Sequence, residues 1–160
     1  FRYADMCFNA QGGEADLVTS RYYFGVLAKL GNKCAQYNYA QMCLSGQGGQ
    51  IDFNSAKNNL EALANEGNCE AQFSYALMCL NGHVGSIDLE AARYYFGLSA
   101  NSGNAQAQYN YALMCFNGHG GSCDLAIARE YFILAANQGD KKANEMFINV
   151  NSMMHASGFA

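Results

Sequence analysis

Two consecutive stretches of 36 residues decide the fold. Residues 73–108 read FSYALMCLNGHVGSIDLEAARYYFGLSANSGNAQAQ, and residues 109–144 read YNYALMCFNGHGGSCDLAIAREYFILAANQGDKKAN. Aligned without a gap, the two stretches are identical at 21 of 36 positions. Agreement of this extent at a fixed period indicates a repeat protein, in which similar units follow one another along the chain.

The same period runs back to the first residue of the chain. Cysteine, aspartate and glycine each recur at it, as Cys7, Cys43, Cys79 and Cys115, as Asp16, Asp52, Asp88 and Asp124, and as Gly31, Gly67, Gly103 and Gly139. We therefore place repeats at 1–36, 37–72, 73–108 and 109–144, and a terminal helix at 145–156. Because a stack of repeats shares one continuous core, we expect a single solenoid domain over residues 1–160.

Each repeat contains two segments of helix length. The first segment, helix A, is predicted at 33–45, 69–81 and 105–117, with a shortened first copy at 1–9 and a final helix at 141–155. The second segment, helix B, is predicted at 16–30, 52–66, 88–102 and 124–138. The recurring aspartate suits the N-cap of helix B, and the recurring glycine suits a left-handed C-cap.

A single helix pair cannot bury its apolar face, so neighbouring pairs must stack. The predicted fold is all-α: a right-handed α-α superhelix, or solenoid, of four helix-turn-helix repeats that ends in a C-terminal capping helix. A truncated fifth repeat is the alternative interpretation of that last helix, because the cysteine and the glycines of the pattern are missing there.

Composition narrows the possible partners. The 160 residues carry nine Lys and Arg against 13 Asp and Glu, a net charge of -4. This balance argues against nucleic acid, since phosphate binding requires clustered cations. No apolar run approaches the ~18 residues that a membrane span requires, so we predict no membrane insertion.

The repeat unit resembles the Sel1-like repeat, a relative of the tetratricopeptide repeat. The residues of the fourth unit that carry the resemblance are Ala107, Tyr111, Ala112, Met114, Cys115, Gly118, Gly121, Asp124, Ala128, Tyr131, Phe132, Ala135, Ala136 and Gly139. The resemblance implies a protein-interaction scaffold or adaptor without chemistry of its own, because members of the family typically assemble other proteins.

The residues that could carry chemistry do not form a recognisable catalytic or metal-binding pattern. There is no C-x-x-C pair, and His83 and His119 stand in equivalent loops without a cysteine or carboxylate at ligand spacing. The seven cysteines are an odd number, and whether Cys115 and Cys123 pair is left open. We predict no enzyme activity, no cofactor and no metal, and an enzyme of unknown type is the third functional hypothesis.

In solenoids of this kind, helix A lines the concave surface. The helix-A positions that remain after the core is subtracted form the predicted site for a partner peptide or helix: Tyr37, Asn38, Gln41, Phe73, Ser74, Leu77, Tyr109, Asn110 and Leu113. Aromatic rings would supply contact area and amides would bond a partner backbone. The alternative for the aromatic positions is packing between helices inside the solenoid.

Two further expectations concern assembly and location. A structural element that self-associates end to end through its terminal repeats is the second functional hypothesis, because the surface carries few charges and many amides. Seven cysteines without a pairing pattern favour a reducing compartment, which makes the cytoplasm the predicted location and the lumen of the endoplasmic reticulum the alternative.

Overall fold

The structure is a computed structural model that describes residues 1–10, 14–83 and 85–156. Over these residues it contains nine α-helices and no strand. The helices are α1 (Arg2–Phe8), α2 (Leu17–Lys29), α3 (Lys33–Ser45), α4 (Phe53–Asn65), α5 (Cys69–Leu80), α6 (Leu89–Asn101), α7 (Ala105–Asn117), α8 (Leu125–Asn137) and α9 (Lys141–Ala156). Helix A of the repeats is α1, α3, α5 and α7, and helix B is α2, α4, α6 and α8. The predicted all-α array of helix pairs is confirmed.

Local capping explains where these helices begin and end. The carboxylates of the four recurring aspartates accept hydrogen bonds from the backbone N–H three residues later, for example from Ser55 to Asp52 over 2.9 Å. Helix A is capped in the same way by an amide or carboxylate, for example by Asn104, whose side chain accepts from the N–H of Ala107. A left-handed glycine precedes each such cap, as Gly103 does with φ +93°.

The chain divides into two compact units, residues 1–71 and 72–160. In the first unit, α2 packs against both α1 and α3, and α3 packs against α4. Ala4, Phe24, Ala35 and Met42 form a buried cluster there. The buried hydroxyl of Ser20 joins α2 to α1 by donating to the carbonyl oxygen of Ala4 over 3.0 Å.

The second unit also holds a buried cluster. In this unit α6 packs against α7, α7 against α8, and α8 against α9. The cluster consists of Ala112, Cys115, Ala128, Phe132, Ala135, Ala143 and Val150. The prediction of one domain over the whole chain is not decided by this division and stays a prediction.

The last helix follows the repeat pattern in its packing but not in its sequence. It starts at Lys141, four residues before the terminal block at 145–156, and it packs against α8. Asn151 stands 36 residues after Cys115, and its amide oxygen accepts from Arg129 Nε over 2.6 Å. The guanidinium of Arg129 also lies over the ring of Phe147, 5.5 Å from its centre. A side chain of α9 thus takes the place of the loop carbonyl oxygens to which Arg21 and Arg93, at the same repeat position, donate.

Candidate functional site

A cleft of about 230 Å³ opens on the helix-A side of the first unit. Helices α1 and α3 both pack on α2, and the cleft lies where they come together. Its lining residues are Asp5, Phe8, Asn9, Phe24, Asn38, Gln41, Met42 and Gln47. Since Ala35, Ala40, Met42 and Cys43 turn one face of α3 into the core, Asn38 and Gln41 are left half-buried beside the opening.

Carboxamides dominate the chemistry of this cleft. Asn9, Asn38, Gln41 and Gln47 contribute four of them, and each can both donate and accept hydrogen bonds. Asp5 is the single ionisable side chain in the lining. Phe8 is partly exposed at the rim and Phe24 is buried at the base. The cleft therefore offers paired donors and acceptors, one negative charge and an aromatic surface.

An arginine of α2 holds one wall of the cleft in place. Arg21 Nη1 donates to the carbonyl oxygen of Gln50 over 2.8 Å and contacts that of Gln47 at 3.4 Å. The loop after α3 is thereby tied to α2, and Gln47 is brought to the cleft. In the second unit, Arg93 likewise donates to the carbonyl oxygen of Ser122 over 2.9 Å.

The role of this arginine was not predicted from the sequence, although the sequence contains a signal for it. A cation recurs every 36 residues at Arg21, Lys57, Arg93 and Arg129. Gln47 and Phe8 were missed for a different reason: Gln47 lies in a loop, where helical spacing gives no position, and Phe8 lies at the end of a short helix. Asp5 shares the repeat position of Gln41, and Asn9 that of Ser45.

Two of the three predicted aromatic site residues pack on a buried phenylalanine of their own repeat. The ring of Phe73 lies 5.8 Å from that of Phe96, and the ring of Tyr109 lies 5.9 Å from that of Phe132. Burial raises the pKa of Tyr109. Tyr37 is half-buried. In its repeat, the buried Leu60 occupies the helix-B position that Phe96 and Phe132 occupy in theirs. The contacts of Phe73 and Tyr109 agree with the alternative of packing between helices.

The remaining predicted positions lie along α5 and α7. Ser74 is buried, whereas Leu77 and Leu113 are half-buried, and Leu113 packs against the core of the second unit. Asn110 is half-buried and donates its amide nitrogen to the carbonyl oxygen of Gln106 over 2.7 Å. Of the nine predicted site residues, the cleft of the first unit brings together Asn38 and Gln41.

The local contacts of the cysteines and of a capping aspartate explain their state in the fold. All seven cysteines lie in the described part of the chain and are thiols; Cys123 donates its S–H to the carbonyl oxygen of Phe116 over 3.1 Å. Burial raises the pKa of the Cys43 and Cys115 thiols, and a nearby arginine opposes that shift in each case. Hydrogen bonds from the backbone N–H and hydroxyl of Ser55 lower the pKa of Asp52.

The described residues were predicted to hold neither a metal ion nor a membrane-spanning segment. Within them, no three His, Cys, Asp or Glu side chains come together in a group that could hold a metal ion. His83 and His119 are both exposed in their loops. No helix in the described ranges is long and apolar enough to cross a bilayer.

Comparison with known proteins identifies the repeat. The family model described as Sel1 repeat matches residues 1–32, 35–68, 69–104 and 105–140. The chain belongs to the Sel1 repeat family. The predicted resemblance is thus confirmed, and each of the four matches starts at or close to the first residue of a helix A. Among curated proteins, none is significantly similar to the chain in sequence.

Two solved structures share the Sel1-like repeat fold of this chain. The first is c5321, a protective antigen present in uropathogenic Escherichia coli strains, with 24% sequence identity and a TM-score of 0.85 over 97% of this chain. The second is a Sel1 repeat protein from Oxalobacter formigenes, with 23% identity and a TM-score of 0.80 over 91% of this chain. The chain spans 33% of the length of the first and 60% of that of the second.

Proposed function

We propose that this Sel1 repeat chain is a protein-interaction scaffold, or adaptor, that binds an extended peptide segment of a partner on the helix-A side. Sel1 repeat proteins generally mediate protein–protein interaction, which supports the general role. The observation that carries the specific proposal is the carboxamide-lined cleft between α1 and α3.

The lining favours a peptide backbone as the ligand. A peptide in extended conformation presents N–H and C=O groups along its length, and the carboxamides of Asn38 and Gln41 can satisfy both kinds. Phe8 adds an apolar surface for a side chain of the peptide. Asp5 carries the one charge of the lining, so the proposal includes a preference for Lys or Arg in the bound segment.

Selection from a displayed library of random peptides, followed by fluorescence polarisation, tests the proposal. The selected peptides should be enriched in Lys or Arg, and an N38A/Q41A variant should bind them at least about tenfold more weakly, the equivalent of ~1.4 kcal/mol. Asp5→Asn should abolish the preference for a basic residue while leaving the circular dichroism of the helices unchanged.

Asn58→Ala is the matched control, because Asn58 is an exposed amide on α4, outside the lining of the cleft. Its affinity for the selected peptides should equal that of the parent chain. If the selected peptides bind the N38A/Q41A variant as tightly as the parent chain, the cleft is not their binding site.

Non-catalytic action in the cytoplasm is part of the same proposal. The Sel1-repeat scaffold is generally non-catalytic, and the recurring aspartates are engaged as helix caps. The net charge of -4 argues against a nucleic-acid partner. Seven thiols without a disulfide pattern support a reducing compartment. Alkylation under denaturing conditions, which exposes the buried thiols, of protein taken directly from cells should add seven labels, and fewer would contradict that location.

A further inference from the structure

An apolar stripe runs along the solvent-facing side of α2. Val18, Tyr22 and Val26 of α2 and Leu30 at its C-cap follow one another at four-residue spacing, which places them on one side of the helix. Their exposed fractions are 68%, 66%, 39% and 77%. This face is opposite the one that buries Ser20, Phe24 and Ala28 in the core of the first unit.

The other helices B are more polar at the same repeat positions. The matching residues are Asn54, Asn58, Ala62 and Glu66 on α4, Glu90, Tyr94, Leu98 and Ser102 on α6, and Ala126, Glu130, Leu134 and Gln138 on α8. Tyr94 is 61% exposed although it lies on an internal helix pair, so the position itself faces solvent. Among the four helices B, α2 alone has four large or branched apolar side chains in this row.

The stripe borders a shallow depression rather than a flat surface. A space of about 320 Å³ lies against the stripe, and its lining residues are Val18, Arg21, Tyr22, Gly25, Val26, Lys29, Tyr39 and Gly48. At its floor α2 carries Gly25, where an added Cβ would come within 3.0 Å of the ring of Tyr39. The missing side chain lets the ring of Tyr39 pack directly against α2 beneath the depression.

The charges around α2 indicate what that partner is. Glu14 is exposed just before the helix, and Lys29 is exposed in its last turn. Within the described residues neither forms an ion pair, whereas Lys33 is paired with Glu66 over 2.9 Å. None of α4, α6 and α8 has a basic residue in its last turn. The unpaired acid and the unpaired base thus lie at opposite ends of the one apolar stripe.

A helix with this arrangement is complementary to itself when it is reversed. In an antiparallel pair, Val18 lies opposite Leu30 of the second copy and Tyr22 lies opposite Val26, so every member of the stripe meets another member. The same pairing places Lys29 near the end of the other helix that carries Glu14. It also aligns the two helix dipoles antiparallel, which is the favourable orientation. A parallel pairing would instead bring like charges together at both ends.

We propose that α2 is an interaction surface for a second copy of this chain, which docks its own α2 antiparallel and forms a two-fold symmetric dimer. The interface is isologous, because the same stripe is used by both copies. A stripe on one helix is smaller than the ~800 Å² per partner of a standard interface, so the dimer is weak and depends on concentration. This contact is separate from the peptide cleft and does not rest on it.

Sedimentation equilibrium of the chain, with reductant present, over a hundredfold concentration range tests the apolar contact. The mass should rise from that of the 17.4 kDa monomer toward twice that value. Tyr22→Lys should weaken dimerisation by at least about tenfold, because it places a cation in the middle of the stripe. Asn58→Lys, the same change at the matching position of α4, should leave dimerisation unchanged.

A charge exchange tests the antiparallel orientation. Lys29→Glu alone and Glu14→Lys alone should each weaken the dimer severalfold at low salt, and the double variant should restore it. A double variant that stays weak would contradict the antiparallel pairing. A mass that stays monomeric at every concentration would overturn the proposal.

End-to-end association would give a different result. In that case the mass would rise in the Tyr22→Lys variant as in the parent, and polar replacements of the exposed Phe1 and Tyr3 would abolish the rise. That outcome would overturn the α2 dimer and favour stacking through the terminal repeats.

Discussion

Gly103 and Gly120 are both left-handed, but they are required for different physical reasons. Gly103 has φ +93°, and an added Cβ would meet nothing within 4 Å. Gly120 has φ +69°, and its Cβ would lie 2.1 Å from the carbonyl oxygen of Leu89. The first position therefore needs only backbone freedom, whereas the second also needs the absence of a side chain, since the loop after α7 touches the start of α6.

Two single variants, each with alanine in place of one of these glycines, distinguish the two requirements. Gly103→Ala should lower the free energy of unfolding by about 1–2 kcal/mol, the cost of the left-handed conformation for a residue with a Cβ. Gly120→Ala should lower it by a further ~1–3 kcal/mol, because the backbone must also move away from the clash. Urea denaturation of the two variants and the parent measures the difference. Equal losses would mean that the loop after α7 moves away from α6 at little cost.

The N-caps connect the charge of single residues to the formation of whole helices. Asp52 precedes α4 and accepts from the N–H of Ser55 over 2.9 Å, and hydrogen bonds from the backbone N–H and hydroxyl of Ser55 lower its pKa. A pKa lower in the folded than in the unfolded chain means that the ionised cap stabilises the fold above the unfolded value, about 3.9. That contribution is lost as the pH falls through the folded value.

Two substitutions at Asp52 should divide its contribution into a neutral and an ionic part. Asp52→Ala should cost about 1 kcal/mol at pH 7, because it removes the acceptor. Asp52→Asn should cost less, because it keeps the acceptor and loses only the charge. Thermal unfolding from pH 7 to pH 2.5 should show the parent and the Asn variant converging below pH ~4, whereas the Ala variant stays less stable. Parallel curves for all three chains would contradict the ionic part.

The helix bounds could be predicted from sequence, but the environment of the helix-A positions could not. The segments predicted from caps and glycines agree with α1 to α9 within one residue at each end, because those signals act locally. Ser74 and Asn110 occupy the same repeat position, yet the first is buried and the second half-buried. Burial at such a position depends on the neighbouring helices, which periodicity within one helix does not describe.

The candidate cleft was predictable only in part for the same reason. Asn38 and Gln41 follow from helical spacing, which puts both on the side of α3 away from its core. Gln47 reaches the cleft through a loop that Arg21 holds from another helix, and that contact links residues 26 positions apart. The apolar residues of the α2 stripe can be read from the sequence, but the exposure of their side chains follows only from the three-dimensional packing.

At the scale of the whole molecule, a repeat array is held together by contacts between neighbours, so a local loss of stability should stay local. Phe24 and Phe132 are buried residues at the same repeat position, one in each compact unit. The matching residue of the second repeat is Leu60, which is fully buried, so leucine is compatible with the fold at this position.

Replacing each phenylalanine by leucine should therefore weaken one part of the chain at a time. A loss of about 1 kcal/mol, the usual range for such a core exchange, corresponds to amide exchange that is about fivefold faster. Hydrogen exchange read by mass spectrometry should show this increase mainly in α7–α9 for Phe132→Leu and mainly in α1–α3 for Phe24→Leu. The two variants serve as controls for each other, since the change and the repeat position are the same. An equal increase along the whole chain in both would mean that residues 1–160 unfold as one cooperative domain, and a local response would place the boundary of cooperativity within the array.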